Sequence, residues 1–478
     1  METPGPDSTR VLASHLYDFA VCEHRIALDV ELDRSTRTPP DAAMRLLAEH
    51  GRRFEERIAK ELGYPEVRVE AGDFAAAAAA TLDLMRRGVP GIYQGVLLSG
   101  RMLAQPDLLE RADGASTFGP FHYAAGDVKS AVAARSDAAL QVAFAASLLE
   151  SLQGRAPETG FLVLGDGSRE RFEPSSIRES LRLALDRVTE IADRRDSTFP
   201  FFSRHCARCR WRGECLPGLV RGTDISLVHG LTRTRHRVLR RHGILTIEDL
   251  SRADRAALER AGAPTDGLDR LKRQARALME SRPAGRRPVK VAAGTRREYY
   301  LWIESDPLDP GDSFLFAWGS GPVQGGPLEG SGAALGGGPE DRERSFRQLL
   351  EALDAGRSRD PIYHFGRATA KAFDACAEAL SLDPALIGGV EGRMVDLSPA
   401  IRRAAALSVY LYRFDDVAGG VRGEPCPAPD APEDALFVEF ANLREAADPA
   451  PFRDRLLAAG AAAVESLRSI WCWLEPSP

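Results

Sequence analysis

Long apolar runs are missing from this chain of 478 residues. Nowhere do the roughly 20 consecutive apolar residues of a membrane-spanning helix occur, and the first ten residues lack the basic-then-apolar order of a secretion signal. A cytoplasmic protein with no membrane partner is expected. Cysteine is scarce as well. Seven in a chain of this size are too few for a disulfide scaffold, so they read as metal ligands or buried thiols of a reducing compartment. Lysine is rarer still: of 63 basic residues only Lys60, Lys129, Lys272, Lys290 and Lys371 are lysines. Where lysine survives such a bias toward arginine, its own chemistry is a candidate reason.

What is present excludes disorder. With 44 % hydrophobic and 28 % charged residues the chain can bury real cores, and its length calls for two or three domains. The net charge of −6 argues against a polyanionic partner only until its distribution is read. Residues 201–290 carry 21 Lys/Arg against 9 Asp/Glu, a surplus of +12, and the remainder is −18. A basic island inside an acidic chain is the electrostatic footprint expected for phosphate.

Periodicity predicts helices over much of 10–63, with apolar positions at Leu46, Leu47, Phe54, Ile58 and Leu62, then an alanine-rich helix from Phe74 to Arg87. Strands are expected at 92–98, 102–109, 122–128 and 160–164, with helices at 138–152 and 177–194: an α/β core. Residues 201–222 read as mostly irregular, 225–280 as several short helices, and 299–304 with 313–318 as paired strands opening a second α/β unit. The low-complexity stretch Gly319 to Gly338 reads as a mobile loop.

Two short segments carry the chemistry. Pro106-Asp107 closes one run, and twenty residues later Asp127-Val128-Lys129 ends a strand, so alternation puts Asp127 and Lys129 on one face. Two carboxylates and an ammonium are what hydrolysis of a phosphodiester needs: hard oxygen ligands for Mg²⁺ or Mn²⁺, and a cation to orient or deprotonate water and relieve phosphate charge. Lysine suits that last role because its pKa can be tuned. The pattern resembles the PD-(D/E)xK nuclease superfamily, and more closely its RecB-like branch. The resemblance makes Glu55, within Gly51-Arg52-Arg53-Phe54-Glu55, a third metal ligand beside Asp107 and Asp127, with the Val128 carbonyl as a further one. It makes Lys129 the residue that handles water, and Gln141 the first residue of a Gln-x-x-x-Tyr motif whose second half is lost, since Ala145 stands at the Tyr position.

Cys206, Cys209 and Cys215 have a spacing that can hold one metal centre, and Cys22 is the best candidate for a fourth ligand. Spacing alone leaves a 4Fe–4S cluster, Zn²⁺ and reduced thiols open. RecB-like nucleases with an iron-sulfur staple have one cysteine before the core and three after it, and the resemblance favours the cluster. Cys376, Cys426 and Cys472 read as packed thiols.

Within the basic island, Arg233, Arg235, Arg237, Arg240 and Arg241 precede His242-Gly243-Ile244-Leu245-Thr246, a texture resembling helix-hairpin-helix modules, whose turn amides and basic side chains hold a phosphate backbone. Aromatic residues for base stacking are nearly absent there, which argues against sequence-specific single-strand readout. A solvated arginine face is the alternative.

Beyond residue 290, Tyr299 to Pro307, Pro361 to Phe365, Met394 to Leu397 and the closing helix Leu456 to Leu474 resemble an RNase H-like, DEDD-type exonuclease domain. Trp302 and the run Ala458 to Ala463 stand where acids belong, and Glu304 and Asp396 remain, so a silent copy is expected, kept for packing, DNA positioning or a protein partner. Asp306, Glu465 or Glu475 are the candidates to substitute.

The organisation expected is therefore a restriction-endonuclease-like mixed sheet flanked by helices with an iron-sulfur staple (residues 1–222), a helix-hairpin-helix-like connector (223–285) and a second α/β, RNase H-like domain (291–478). The function expected is a Mg²⁺- or Mn²⁺-dependent deoxyribonuclease, with exonuclease action on single-stranded DNA or free ends preferred. A non-catalytic DNA-binding scaffold and an RNA substrate are the alternatives.

Overall fold

The computed structural model describes residues 10–130, 136–289, 295–323, 326–354, 358–431 and 434–475. The chain forms two compact units, Met1–Phe201 and Phe202–Pro478, both α/β with mixed sheets and flanking helices. Among the described residues no helix is long and apolar enough to cross a membrane.

The first unit runs β1 (Val11–Leu12), α1 (Ala13–Cys22), α2 (His24–Glu31), α3 (Ala42–Leu62), α4 (Phe74–Arg86), β2 (Gly91–Tyr93), β3 (Leu97–Ser99), β4 (Met102–Ala104), β5 (Leu108–Ser116), β6 (Gly119–Val128), α5 (Ser136–Gln153), β7 (Gly160–Val163), β8 (Arg169–Phe172) and α6 (Arg178–Ala192). Its main sheet has the order β2-β5-β6-β7-β8, antiparallel except for the parallel pair β6–β7, and a small sheet orders β1-β4-β3. Each of the last seven residues of β6, from His122 on, is buried, as befits a strand covered on both faces. Here Gly126 is forced by packing, because a Cβ would stand 2.1 Å from the Phe161 ring on the neighbouring strand. That close seating of β7 fixes the end of β6 where Asp127 stands.

Helix α3 starts under a cap, with Asp41 Oδ1 accepting from Met44 N at 2.8 Å, and stops at Gly63 in the left-handed region (φ +63°). Between these ends Phe54 and Ile58 pack on Leu108, Val128, Phe161 and Val163. Burial of two such side chains is worth roughly 4 kcal/mol, and it anchors the turn carrying Glu55 beside the ends of β5 and β6. Helix α5 packs its Val142, Phe144, Ala145 and Leu149 into the main core.

The second unit begins with a helical half: α7 (Arg212–Arg221), α8 (Arg233–Arg241), α9 (Ile247–Arg252), α10 (Arg255–Arg260) and α11 (Leu268–Glu280). Its core joins Phe202, Leu216 and Leu219 to Ile225, Leu239, Leu250 and Leu271, so the cysteine segment packs with these helices. Residues 212–221 form a regular helix where an irregular segment was expected; Pro217 is accommodated within it, and Leu216 and Leu219 are buried.

The other half contains β9 (Arg297–Asp306), β10 (Asp309–Pro322), β11 (Gly330–Leu335), α12 (Pro339–Ala352), β12 (Ile362–His364), α13 (Gly366–Ala379), α14 (Pro384–Glu391), β13 (Met394–Asp396), α15 (Leu397–Ala404), α16 (Phe414–Arg422), α17 (Ala435–Glu445) and α18 (Ala450–Leu474). The sheet order is β11-β10-β9-β12-β13, with β9–β12 and β12–β13 parallel. The stretch expected to be a mobile loop instead supplies the end of β10 and all of β11, paired in register from Leu315↔Leu335 to Ser320↔Gly330; residues 324–325 lie outside the described set. Glycine is needed here rather than merely tolerated: a Cβ on Gly332 would stand 2.6 Å from the Trp318 ring. The small residues of α18 have a packing reason too, since Gly460 lies against Ala317, Ala333 and Leu315 of the sheet.

Candidate active site

Antiparallel pairing sets the geometry. The last pair between β5 and β6 is Leu108↔Gly126, so Asp107, just before β5, lies beside Asp127 and Val128 at the end of β6, which remain paired with β7. Asp107 Oδ2 accepts from Val128 N at 2.7 Å, and Lys129 Nζ lies 2.6 Å from Asp127 Oδ2. Lys129 N donates to Val163 O at 2.8 Å on β7, which turns the Val128 amide the other way, toward Asp107. Glu55 arrives from α3 and accepts from Tyr93 Oη at 2.9 Å and from Gln94 Nε2. The same Gln94 Nε2 reaches Asp107 Oδ1 at 3.2 Å, so one amide joins two of the three carboxylates.

Gln94 and Tyr93 escaped sequence reasoning. Gln94 has φ +55°, a left-handed conformation rare for a side-chain-bearing residue, held by its N donating to Asp107 O at 2.9 Å and by Gln105 Nε2 donating to its Oε1 at 3.1 Å. No motif marks it, and a positive φ is not legible in sequence.

Electrostatics follow from crowding. Burial raises the Asp107 carboxyl well above the usual carboxylate range, and the negative charges of Asp127 and Glu55 push the same way while Lys129 opposes them. Burial is also the largest influence on Lys129 and pulls it down. Asp127, Asp107 and Glu55 together outweigh it, so the ammonium is held above its ordinary pKa. Lys129 is thus a fixed cation in this state, and the downward tuning that a base requires is not what its surroundings produce. A cavity of about 210 Å³ opens onto the group, lined among others by Pro106, Asp107, Asp127, Lys129, Gln141 and Ala145. Gln141 Nε2 reaches back to Ala13 O at 3.4 Å, and Ala145, where the motif has Tyr, is fully buried in the wall.

The donor chemistry fits a hard divalent cation: several carboxylate oxygens converge, their mutual repulsion is visible in Asp107, and the Lys129 ammonium opposes it. The side-chain positions satisfy those oxygens with the amides of Gln94 and Val128 and with Lys129, and among the described residues no group of three or more His, Cys, Asp or Glu stands in metal-binding geometry. Ligation therefore requires Glu55, Asp107 and Asp127 to exchange these donors for the metal.

Of the cysteines, Cys206 and Cys209 share a tight turn, with Cys209 N donating to Cys206 O at 3.0 Å. Cys206 Sγ accepts from Ser203 N and Cys209 Sγ from Trp211 N, each at 3.4 Å. Cys215 stands in the first turn of α7, and Cys22 ends α1 in the other unit.

In the basic segment, Arg240 is tied to Asp224 at 3.1 Å, Arg233 and Arg235 are half-buried, and Arg237 and Arg241 are exposed. The hairpin amides do not await a phosphate. His242 and Ile244 donate to Leu239 O, Gly243 to Arg240 O, Leu245 and Thr246 to Asp249 Oδ2, and Ile247 to Thr223 O. In the C-terminal sheet Asp396 caps α15 and accepts from Ser398 N and Gly366 N, both at 2.8 Å. Of the substitutes considered, Asp306 pairs with Arg444 at 3.2 Å and Glu465 with Arg468 at 2.9 Å, while Glu475 lies against Glu298. Glu304 has Asp415 and Asp434 as its charged neighbours.

No protein-family model matches the chain, and no curated protein matches it significantly.

Proposed function

We propose that the first unit is a RecB-like PD-(D/E)xK nuclease core with a restriction-endonuclease-like sheet, and that the chain hydrolyses DNA phosphodiesters. The observation that carries this reading is the meeting of Asp107, Asp127 and Lys129 on one cavity, with Glu55 joined through Gln94. In this reading Glu55, Asp107, Asp127 and the Val128 carbonyl hold Mg²⁺ or Mn²⁺, which would supply Lewis acidity and an acidified water. Lys129 offers its charge to the phosphate oxygens, and Gln141 donates to the strand from the cavity wall. Single-stranded DNA or DNA ends are the substrate favoured by the resemblance.

The same reading gives Cys22, Cys206, Cys209 and Cys215 to a 4Fe–4S cluster, with Zn²⁺ the competing occupant, and gives residues 291–478 to a silent RNase H-like domain. A brown protein with stoichiometric iron supports the cluster. Zinc without iron refutes it.

Purified protein with Mn²⁺ is expected to degrade single-stranded DNA, and Asp127→Ala or Lys129→Ala to lower the rate by about a thousandfold or more with an unchanged circular dichroism spectrum. Equal rates in these variants sink the assignment. A second reading, a DNA-binding protein without turnover, is favoured by Ala145 at the Tyr position and by carboxylates already satisfied by protein donors. A gel shift with no cleavage in any divalent metal selects it, and side-by-side digestion separates DNA from RNA.

A further inference from the structure

We infer that the phosphodiester backbone of a nucleic acid strand binds in the groove between α9 and α11, gripped by Arg252, Lys272 and Arg276. This rests on the nucleic-acid reading above but moves its contacts to residues that reading did not include. The groove has a volume of about 430 Å³ and is lined by Ser251, Arg252, Lys272, Arg276, Met279 and Glu280. That is room for a stretch of sugar-phosphate chain rather than one small anion.

Three cations face one acid, and that acid, Glu280, is shared with Arg282 at 2.8 Å in an exposed pair. Arg252 shares its charge with Glu248 at 2.6 Å, but this is a solvent-exposed pair within one helix, easily exchanged for a phosphate. Lys272 donates one N–H to Ala253 O at 2.6 Å, beyond the end of α9. That bond fixes the ammonium over the groove and leaves two of its three donors for a ligand. Arg276 is exposed and makes no ion pair among the described residues. Lys272 is one of five lysines in the chain, and the groove has no aromatic wall on which a base could stack, so the chemistry offered is for phosphate oxygens.

The competing anion sites in this half are weaker. All six amides from His242 to Ile247 have internal acceptors, the Asp249 carboxylate sits at that turn, and Arg240 is committed to Asp224. Arg252 of α9 with Lys272 and Arg276 of α11 instead offers a strand three cations lining one groove.

The test is fluorescence anisotropy of the full chain in EDTA, so that cleavage is silent, with a labelled oligothymidylate of about 20 nucleotides and its duplex with oligoadenylate. Lys272→Ala/Arg276→Ala is expected to weaken binding about tenfold or more and to lower the slope of log K against log salt by about two. Arg276→Glu, which leaves the Lys272–Ala253 bond intact, is expected to weaken it at least as much, and Lys272→Arg to retain it. Binding of the double variant within about twofold of the parent, with the same salt slope, overturns the inference, as does displacement of the strand by inorganic phosphate at equal ionic strength. Binding that depends on the groove in a protein that never cleaves leaves the groove standing and removes the nuclease. Normal binding by groove variants of an active enzyme removes the groove alone.

Discussion

At the scale of single residues, Gln94 is the least expected member of the candidate site. Its strained backbone (φ +55°) and its amide between Glu55 and Asp107 belong together, because the fold tolerates such a conformation only where surroundings enforce it. Gln94→Gly keeps that backbone at no steric cost and removes the amide. It is expected to leave the melting temperature nearly unchanged and to shift the Mn²⁺ concentration needed for half-maximal cleavage, a readout that a purely structural role would not move. Glu304 gives a pH dependence. Burial pushes its carboxyl up to about 7, with the Trp302 indole opposing and Asp415 and Asp434 adding to the rise. A raised carboxyl binds its proton more tightly in the folded than in the unfolded chain. The stabilisation is fully present below about pH 4.5 and is lost as pH rises through about 7, at most about 3 kcal/mol. Urea midpoints measured across this window are expected to fall with rising pH in the parent and to fall less in Glu304→Gln; identical slopes refute it. Asp107 and the Asp127-x-Lys129 pair were legible in sequence because strand alternation is a local rule. Gln94 was not, because it reaches Glu55 and Asp107 only after α3, β2 and β5 are assembled.

At the scale of elements, the seating of β6 on β7 decides where Asp127 points. Gly126→Ala would drive a methyl group into the Phe161 ring, an overpacking cost of about 3 kcal/mol. Chemical denaturation of the variant is expected to show that loss, and the smaller side chain of a second change, Phe161→Leu, is expected to restore part of it. The glycine-rich strand β11 was unreadable for a related reason. Its small residues allow close approach to Trp318 and α18, and composition alone suggested a loop. The helix at 212–221 was likewise hidden by Gly213, Pro217 and Gly218, whose poor propensity is overridden by burial of Leu216 and Leu219 in the surrounding core.

At the scale of the whole molecule, the second unit is knitted by a buried polar rivet. Gln274 of α11 donates to Leu407 O at 2.7 Å and Val409 O at 3.1 Å, and its Oε1 accepts from Tyr412 Oη at 3.0 Å. Ala284 and Ala406 add a backbone bridge. Gln274→Leu leaves the buried Val409 carbonyl without its donor and the Leu407 carbonyl with Val409 N alone, at a cost of about 2 kcal/mol, and is expected to split the unit's unfolding, with helices α7–α11 losing far-UV signal before the sheet loses its near-UV signal. A single coincident transition would refute this coupling. The basic helices thus belong to the body of the second unit, which the change in charge at residue 201 did not foretell. The sequence by itself determined the α/β class and singled out the two aspartates and the lysine that the fold brings together, because these readings rest on patterns two to four residues long. Tertiary structure alone decided that Gln94 bridges the carboxylates, that the hairpin amides are spent on internal acceptors, and that Lys272 and Arg276 share a groove with Arg252. Each of these depends on segments far apart in the chain meeting in one place, or on which backbone groups the fold has already satisfied.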